Sequence, residues 1–141
     1  MGKATVSQQS AFTLRTILIV EDDEEIGVVL ETLLLEEFET DVVLAQNGRQ
    51  ASQMVCNPSI DLILLDYHLP DINGIQLYDF WRHYFGLTDL SVIMISANPP
   101  YEELEQRHLL NVKKPFDLDN ILEAVERVLT IEQRTAQHRV Y

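Results

Sequence analysis

Short apolar runs alternate along the chain with longer segments whose apolar residues recur every three or four positions. The runs cover residues 16–20, 42–45, 60–65, 91–95 and 109–112. Continuous apolar runs of this length are typical of strands that are buried on both faces of a parallel sheet. The helical spacing predicts helices in the segments that follow, at about residues 26–38, 49–55, 75–84, 101–107 and 118–129.

This strand–helix alternation predicts an α/β fold with three layers. Because a helix follows each strand within a short chain, we expect parallel strands that are joined by right-handed crossovers. Asp117 suits the N-cap of the last helix, and Pro100 suits the first position of the fourth. No low-complexity or linker segment divides the chain, so we expect one domain.

Composition and charge narrow the function classes. The 141 residues are 46% hydrophobic and 23% charged, which is typical of a globular domain. Acidic residues outnumber basic ones 23 to 10, for a formal charge of -13. This charge disfavours direct binding to nucleic acid and leaves basic protein surfaces and divalent cations as partners. A single cysteine, Cys56, excludes an intrachain disulfide and a cysteine-built metal site.

The two ends of the chain carry no targeting signal that we recognise. Residues 1–14 lack the apolar core of a signal peptide, and no apolar run approaches the roughly 20 residues of a membrane span. We therefore expect a cytoplasmic protein that does not bind a membrane. Residues 1–15 are predicted to form a flexible arm, and residues 131–141 an extension of the last helix or a tail.

Polar residues follow four of the predicted strands, where an open α/β sheet binds its ligands. They are Glu21, Asp22 and Asp23, then Asp66, then Ser96, and finally Lys113 with Lys114. Clustered carboxylates repel one another unless a cation neutralises them, and oxygen ligands beside a phosphate favour Mg²⁺. A lysine and a hydroxyl could hold phosphoryl oxygens, so the set suits phosphoryl transfer to Asp66.

Each of these residues alone has a more ordinary interpretation. An acidic run after a strand is usually a solvated helix N-terminus, an aspartate before a loop is usually a turn residue, and a lysine pair usually lies on the surface. Their joint placement at the ends of four strands favours a site.

Four motifs, in order, resemble the receiver domain of two-component response regulators. They are residues 17–23, residues 62–74, the pair Ser96-Ala97 and the run Lys114-Pro115-Phe116. The intervals of 44 residues from Asp22 to Asp66 and 30 from Asp66 to Ser96 are typical of that family. The resemblance places a receiver domain at residues 16–130 and implies a flavodoxin-like (βα)5 sandwich with strand order 2-1-3-4-5.

The resemblance also implies a role for each matching residue. Asp66 corresponds to the phosphoacceptor, and Ser96 and Lys114 to the residues that contact the phosphoryl group. The implied Mg²⁺ ligands are Glu21, Asp22, Asp66 and the main-chain carbonyl of His68. A cis peptide is implied at Lys114-Pro115.

The function implied is that of a stand-alone receiver in a phosphorelay. A histidine kinase or a phosphotransfer protein would phosphorylate Asp66, and the product would signal by binding an unknown downstream protein. Such a protein is a switch that assists its own phosphorylation and dephosphorylation, and is not an enzyme in the usual sense. The third predicted helix carries a cluster of aromatic residues, namely Tyr78, Phe80, Trp81 and Tyr84. Their helical spacing requires some of them to pack on the sheet, and the rest could form a surface for a homodimer or a partner.

Two departures from the family pattern concern the output face. Asn111 stands where the family usually has an aromatic residue, three positions before Lys114, and the 18 residues from Ser96 to Lys114 are fewer than usual. A degenerate receiver that acts without phosphorylation is therefore one alternative. A small phosphohydrolase with an aspartyl nucleophile is another, although such enzymes usually carry that aspartate after the first strand.

Overall fold

The computed structural model describes residues 15–140, with side chains described for residues 15–130. Ten elements alternate in the order β1 Thr16–Val20, α1 Glu24–Glu37, β2 Asp41–Ala45, α2 Gly48–Met54, β3 Ile60–Asp66, α3 Gly74–Tyr84, β4 Val92–Ser96, α4 Tyr101–Gln106, β5 Leu110–Lys113 and α5 Leu118–Val140. Apart from Arg15, the arm predicted at residues 1–15 lies outside the described residues.

The five strands form one parallel sheet in the order β2-β1-β3-β4-β5, which confirms the predicted topology. β1 lies next to the edge strand β2 and pairs with β3 on its other side, and β3 is the central strand. In this order the chain reverses its direction of winding after β2, so the crevice for a ligand lies beyond the carboxyl ends of β1 and β3.

Alternate residues of β1 enter two separate hydrophobic cores. Ile17 and Ile19 pack with residues of α1 and α5, whereas Leu18 and Val20 pack with residues of α2, α3 and α4. All five strand residues are buried. Because a fully buried Leu, Ile or Val side chain contributes roughly 1.5–3 kcal/mol, the central strands hold the three layers together. This arrangement explains why the strands read as unbroken apolar runs.

The structure moves several predicted boundaries by one residue. Gly74 begins α3 instead of ending the preceding loop, and Lys113 ends β5 instead of beginning a loop. Pro100 is the N-cap of α4, one position before the predicted place, and it makes no side-chain capping hydrogen bond. α4 is only six residues long.

The far end of α4 is fixed by an ion pair to α3. The Arg107 guanidinium, just after α4, donates two hydrogen bonds to Asp79 of α3, with N···O distances of 2.7 Å and 2.6 Å. Arg107 also donates to the carbonyl of Glu103 at 2.8 Å. The two-point geometry fixes direction as well as distance. α4 is therefore held at its carboxyl end and only weakly capped at its amino end.

The aromatic residues of α3 divide between the core and the surface. Tyr78 and Trp81 are buried, and the Trp81 indole donates to Ser52 Oγ of α2 at 2.9 Å. The Tyr84 side chain is 78% exposed, and its ring lies 5.2 Å from the ring of the partly exposed Phe80.

Within residues 15–140, none of the helices combines the length and the apolar character that crossing a membrane requires.

Gly74, the first residue of α3, lies against β3 and β4. A Cβ atom there would sit 2.7 Å from Met94 Sδ and 3.1 Å from the main-chain oxygen of Asp66. We therefore expect Gly74→Ala to lower the free energy of unfolding by about 1–3 kcal/mol, measured by urea denaturation.

Gly27 in α1 provides the control, because a Cβ there would meet its nearest neighbour, Leu44 Cδ1, at 4.0 Å. Gly27→Ala is expected to be neutral or to stabilise the protein by up to about 1 kcal/mol. Equal stability of Gly74→Ala and the parent protein would show that the close approach at α3 is unimportant.

Candidate functional site

The carboxyl ends of β1, β3, β4 and β5 bring the predicted site residues to one edge of the sheet. Lys114 follows β5, and its Nζ lies 3.0 Å from Glu21 Oε1 and 3.3 Å from Asp66 Oδ2. Glu21 follows β1, and Asp66 is the last residue of β3. One ammonium group therefore bridges two carboxylates that belong to different strands.

A third carboxylate completes an acidic cluster. One carboxylate oxygen each from Glu21, Asp22 and Asp66 lies within 4.8 Å of the others. Glu21 and Asp66 are 5% and 3% exposed, whereas Asp22 is exposed to solvent. A hard divalent cation prefers such a set of oxygen ligands, open to water on one side. The cluster thus fits the Mg²⁺ site that the resemblance implied.

Burial and charge alter the protonation of this cluster. Burial, together with the hydrogen bond and the charge of Asp66, raises the pKa of Glu21 to about 7, against the opposing effect of Lys114. Burial lowers the pKa of Lys114, but its hydrogen bond to Glu21 and the charge of Asp66 outweigh that effect, and the net shift is upward. Lys114 therefore stays positively charged at this edge. Ionisation of Glu21, in contrast, costs free energy because the carboxyl group is buried beside Asp66.

His68 approaches the Asp66 carboxylate through its main chain. The His68 N–H donates to Asp66 Oδ1 at 3.3 Å, and the imidazole packs edge-on against Tyr67 with ring centroids 4.9 Å apart. The peptide bond Lys114-Pro115 is cis.

Asp23 has a structural position. Its carboxylate accepts from the N–H groups of Glu25 and Ile26 and so caps α1, and its own N–H donates to Glu21 Oε2 at 3.2 Å.

Ser96 is fully buried, and its hydroxyl has no hydrogen-bond partner among the described residues. An unpaired buried hydroxyl costs roughly 1–3 kcal/mol, so such a group needs an explanation. A phosphoryl oxygen bound beside Asp66 would provide the missing partner. This unpaired hydroxyl at the end of β4 supports the fit of the site to a phosphoryl group.

Asp71 is a residue of this region that sequence reasoning missed. Its carboxylate accepts from the N–H groups of Gly48 and Arg49 at 2.9 Å and 3.0 Å, which fastens the loop after β3 to the start of α2. Burial acts to raise the pKa of Asp71, but these hydrogen bonds outweigh it and lower the pKa. Nothing in the sequence links positions 48 and 71 before the strand order is known.

Two further residues lie at β5. Lys113, predicted beside Lys114, is exposed and makes no ion pair within residues 15–130. Asn111 pairs in register with Met94, and its Oδ1 atom is buried without a hydrogen-bond partner among the described residues.

The comparisons with known proteins identify the class. A family model described as the response regulator receiver domain matches residues 17–126, so the chain belongs to the response regulator receiver family. Members of this family are phosphoacceptor switches of two-component systems, generally not classed as enzymes. They bind Mg²⁺ at an acidic site and interact with histidine kinases or phosphotransfer proteins.

Individual relatives differ in how much of their length the chain matches. It is 33% identical over 127 residues to the transcriptional regulatory protein KdpE of Staphylococcus aureus, covering 84% of this chain but 53% of that protein. It is 31% identical over 121 residues to sporulation initiation phosphotransferase F of Bacillus subtilis, covering 82% of this chain and 94% of that protein. The CheY-like receiver domain protein from Methanospirillum hungatei JF-1 has the same fold, with a TM-score of 0.77 at 23% identity over 87% of this chain and 99% of that one.

The raised pKa of Glu21 predicts how the stability of the metal-free protein depends on pH. In the folded state the pKa of Glu21 is about 7, whereas its ordinary pKa is 4.5. The folded state therefore binds more protons than the unfolded state between these values, and the contribution of Glu21 to stability is lost as pH rises through 7.

Glu21→Gln removes this titration, so its free energy of unfolding should not show the same fall with pH. Measured by urea denaturation without metal, its stability relative to the parent protein is expected to rise by roughly 1–2 kcal/mol from pH 5 to pH 8. The surface variant Glu126→Gln serves as the control and should follow the parent profile. Parallel curves for Glu21→Gln and the parent would contradict the burial of this charge.

Proposed function

We propose that Asp66 accepts a phosphoryl group and that its phosphorylation switches the protein between two states of interaction. The observation that carries this proposal is the placement of Asp66, whose side chain is 5% exposed and lies 3.3 Å from the Lys114 ammonium. A buried aspartate beside a cation and two further acids is equipped for phosphoryl transfer, whereas a turn residue on the surface needs none of these neighbours.

The transfer is a displacement at phosphorus. A carboxylate oxygen of Asp66 attacks the phosphorus of a phosphohistidine on the donor protein, and a P–O bond forms as the P–N bond breaks. The electron pair of the broken bond stays on the imidazole of the donor. Lys114 neutralises charge on the phosphoryl oxygens, and the Ser96 hydroxyl donates a hydrogen bond to one of them.

The acidic cluster would hold Mg²⁺ through Glu21, Asp22, Asp66 and the main-chain carbonyl of His68. When bound, the ion supplies positive charge for the phosphoryl oxygens. In its absence Lys114 provides the neutralising charge that the buried Glu21 and Asp66 need. The same residues would assist both phosphorylation and the later hydrolysis of the acyl phosphate.

The family suggests the phosphoryl donor and a downstream partner, and the exposed aromatic rings of α3 suggest a homodimer. The donor is a sensor histidine kinase or a phosphotransfer protein, and the receiver of the signal is a downstream protein. We also propose that the protein works in the cytoplasm as a stand-alone receiver. The match to 94% of sporulation initiation phosphotransferase F supports the stand-alone role. The exposed rings of Phe80 and Tyr84 are a candidate surface for a homodimer.

Two alternatives remain to be separated by experiment. A degenerate receiver would not take phosphate, and Asn111 and the six-residue α4 are the features that favour it. An aspartyl phosphohydrolase would release phosphate repeatedly. The intact set of Glu21, Asp66 and Lys114 favours the phosphoacceptor.

Phosphorylation is tested by intact mass. Incubation of the protein with a small acyl phosphate and Mg²⁺ is expected to add one phosphoryl group, and Asp66→Ala is expected to abolish the adduct. Asp89→Asn, which changes an exposed aspartate, is the control and should keep the adduct. Absence of any adduct on the parent protein would favour the degenerate receiver, and turnover of a large excess of donor would favour the hydrolase.

The metal requirement is tested in the same assay. Chelation of Mg²⁺ is expected to stop the formation of the adduct, and Asp22→Asn to weaken Mg²⁺ binding by about tenfold or more in a calorimetric titration. Glu25→Gln, which removes a neighbouring acid outside the cluster, should leave the affinity within about twofold because surface charge acts weakly. Equal affinities for Asp22→Asn and the parent would remove Asp22 from the ligand set.

A further inference from the structure

The loop between β3 and α3 carries two main-chain groups that the proposed phosphoryl transfer uses. The His68 N–H donates to Asp66 Oδ1 at 3.3 Å, and the His68 carbonyl is one of the proposed Mg²⁺ ligands. The two groups belong to consecutive planar peptide units, so the fold of the loop sets their directions. The contacts that fix residues 68–73 therefore bear directly on the site.

Hydrogen bonds within the loop close it across its two ends. His68 and Asn73 form an isolated antiparallel bridge, and the Gly74 N–H donates to the Tyr67 carbonyl at 2.8 Å. These contacts join neighbouring parts of one loop. They give the loop its shape but do not attach it to another element of the fold.

The Asp71 carboxylate attaches the loop to α2. It accepts from the N–H groups of Gly48 and Arg49 at 2.9 Å and 3.0 Å. Among the hydrogen bonds of residues 15–130, these two alone join residues 68–73 to an element other than β3 or α3. Hydrogen bonds from a main-chain N–H to a carboxylate are roughly twice as strong as those between neutral groups. The position of the loop relative to α2 therefore depends on one side chain.

Close packing at Gly48 supports the same attachment independently. A Cβ atom at Gly48 would lie 2.5 Å from Ile72 Cγ2 and 3.3 Å from Asp71 Oδ1. Ile72 is partly buried and packs against the core that lies between the sheet and α2, α3 and α4. Side chains in a packed core do not tolerate an approach of 2.5 Å, so a larger residue at position 48 would push the loop away from α2.

We propose that Asp71 is a positioning residue for the phosphoacceptor site. By attaching residues 68–73 to the start of α2, it holds the His68 N–H against Asp66 and the His68 carbonyl in place for the metal. Both Asp71 oxygens accept from main-chain N–H groups, and Asp71 is not part of the acidic cluster, so it acts through the loop. The use of the two His68 groups in phosphoryl transfer rests on the proposed function, whereas their placement by Asp71 does not.

The first measurement is the Mg²⁺ affinity of the full chain by calorimetric titration. Asp71→Ala is expected to weaken binding by about tenfold, as the loss of a residue that orients a metal ligand does. Because Asp71→Ala also removes a negative charge, Gly48→Ala is the matched variant, which displaces the loop and keeps every charge. It should weaken binding to a similar extent. Gly27→Ala in α1, whose Cβ would meet its nearest neighbour at 4.0 Å, is the control and should stay within about twofold of the parent.

Two further variants separate positioning from simple loss of charge. The double variant Gly48→Ala/Asp71→Ala should lie within about twofold of Asp71→Ala, because both changes break the same contact. Asp71→Asn removes the charge but keeps one acceptor oxygen, so it is expected to recover part of the affinity that Asp71→Ala loses. A role of charge alone gives the opposite pattern, in which Asp71→Asn equals Asp71→Ala and Gly48→Ala equals the parent.

The second measurement uses the same variants without metal and is independent of the proposed function. The amide proton resonance of His68 is expected to move upfield in Asp71→Ala and in Gly48→Ala, because its hydrogen bond to Asp66 lengthens, and to stay in place in Gly27→Ala. A parent protein that does not bind Mg²⁺ would contradict the metal site, while this shift would still demonstrate the positioning role. The proposal is overturned if the His68 resonance stays in place in both variants, or if the affinities follow the pattern of charge alone.

Discussion

The site depends on one interaction, the contact of the Lys114 ammonium with the two buried carboxylates of Glu21 and Asp66. Two carboxylates that are removed from water repel each other, and a cation between them offsets that repulsion. Lys114 supplies that charge from the end of β5, which is separated from β1 by two strands of the sheet. The requirement for a cation thus ties the chemistry of the site to the assembly of the whole sheet.

The parallel sheet makes this contact possible over a long interval of sequence. Glu21 and Lys114 are 93 residues apart, yet both follow strands that end at the same edge. Because both faces of β1 and β3 are buried, any shift in strand register would move apolar side chains out of two cores at once. The packing of residues such as Ile17 and Leu18 therefore fixes the spacing of charges that lie beyond the ends of the strands.

The fold could be predicted from the sequence because burial on both faces leaves a plain pattern, as at residues 16–20. The placement of acids, hydroxyl and lysine at strand ends was also readable, since parallel strands share one carboxyl edge. The contact of Asp71 with the start of α2 was not, because it joins two loops that no periodicity relates. The unpaired oxygen of Asn111 was equally hidden, since it depends on the packing around β5, which no sequence pattern specifies.

The hydrogen bonds of Asp71 make the loop after β3 stiffer than the neighbouring loop after β4. Asp71 fastens the loop after β3 to α2, and the reciprocal cap of Asn73 and Gln76 joins the loop to α3. Hydrogen bonds therefore hold this loop at two points. The loop after β4 follows Ser96, whose hydroxyl is unpaired, and leads to α4, which begins without a side-chain cap. A change of charge at Asp66 is therefore expected to displace the loop after β4 and leave the loop after β3 in place. Because the two loops differ in stiffness, a change at Asp66 is transmitted toward α4 and not toward α3.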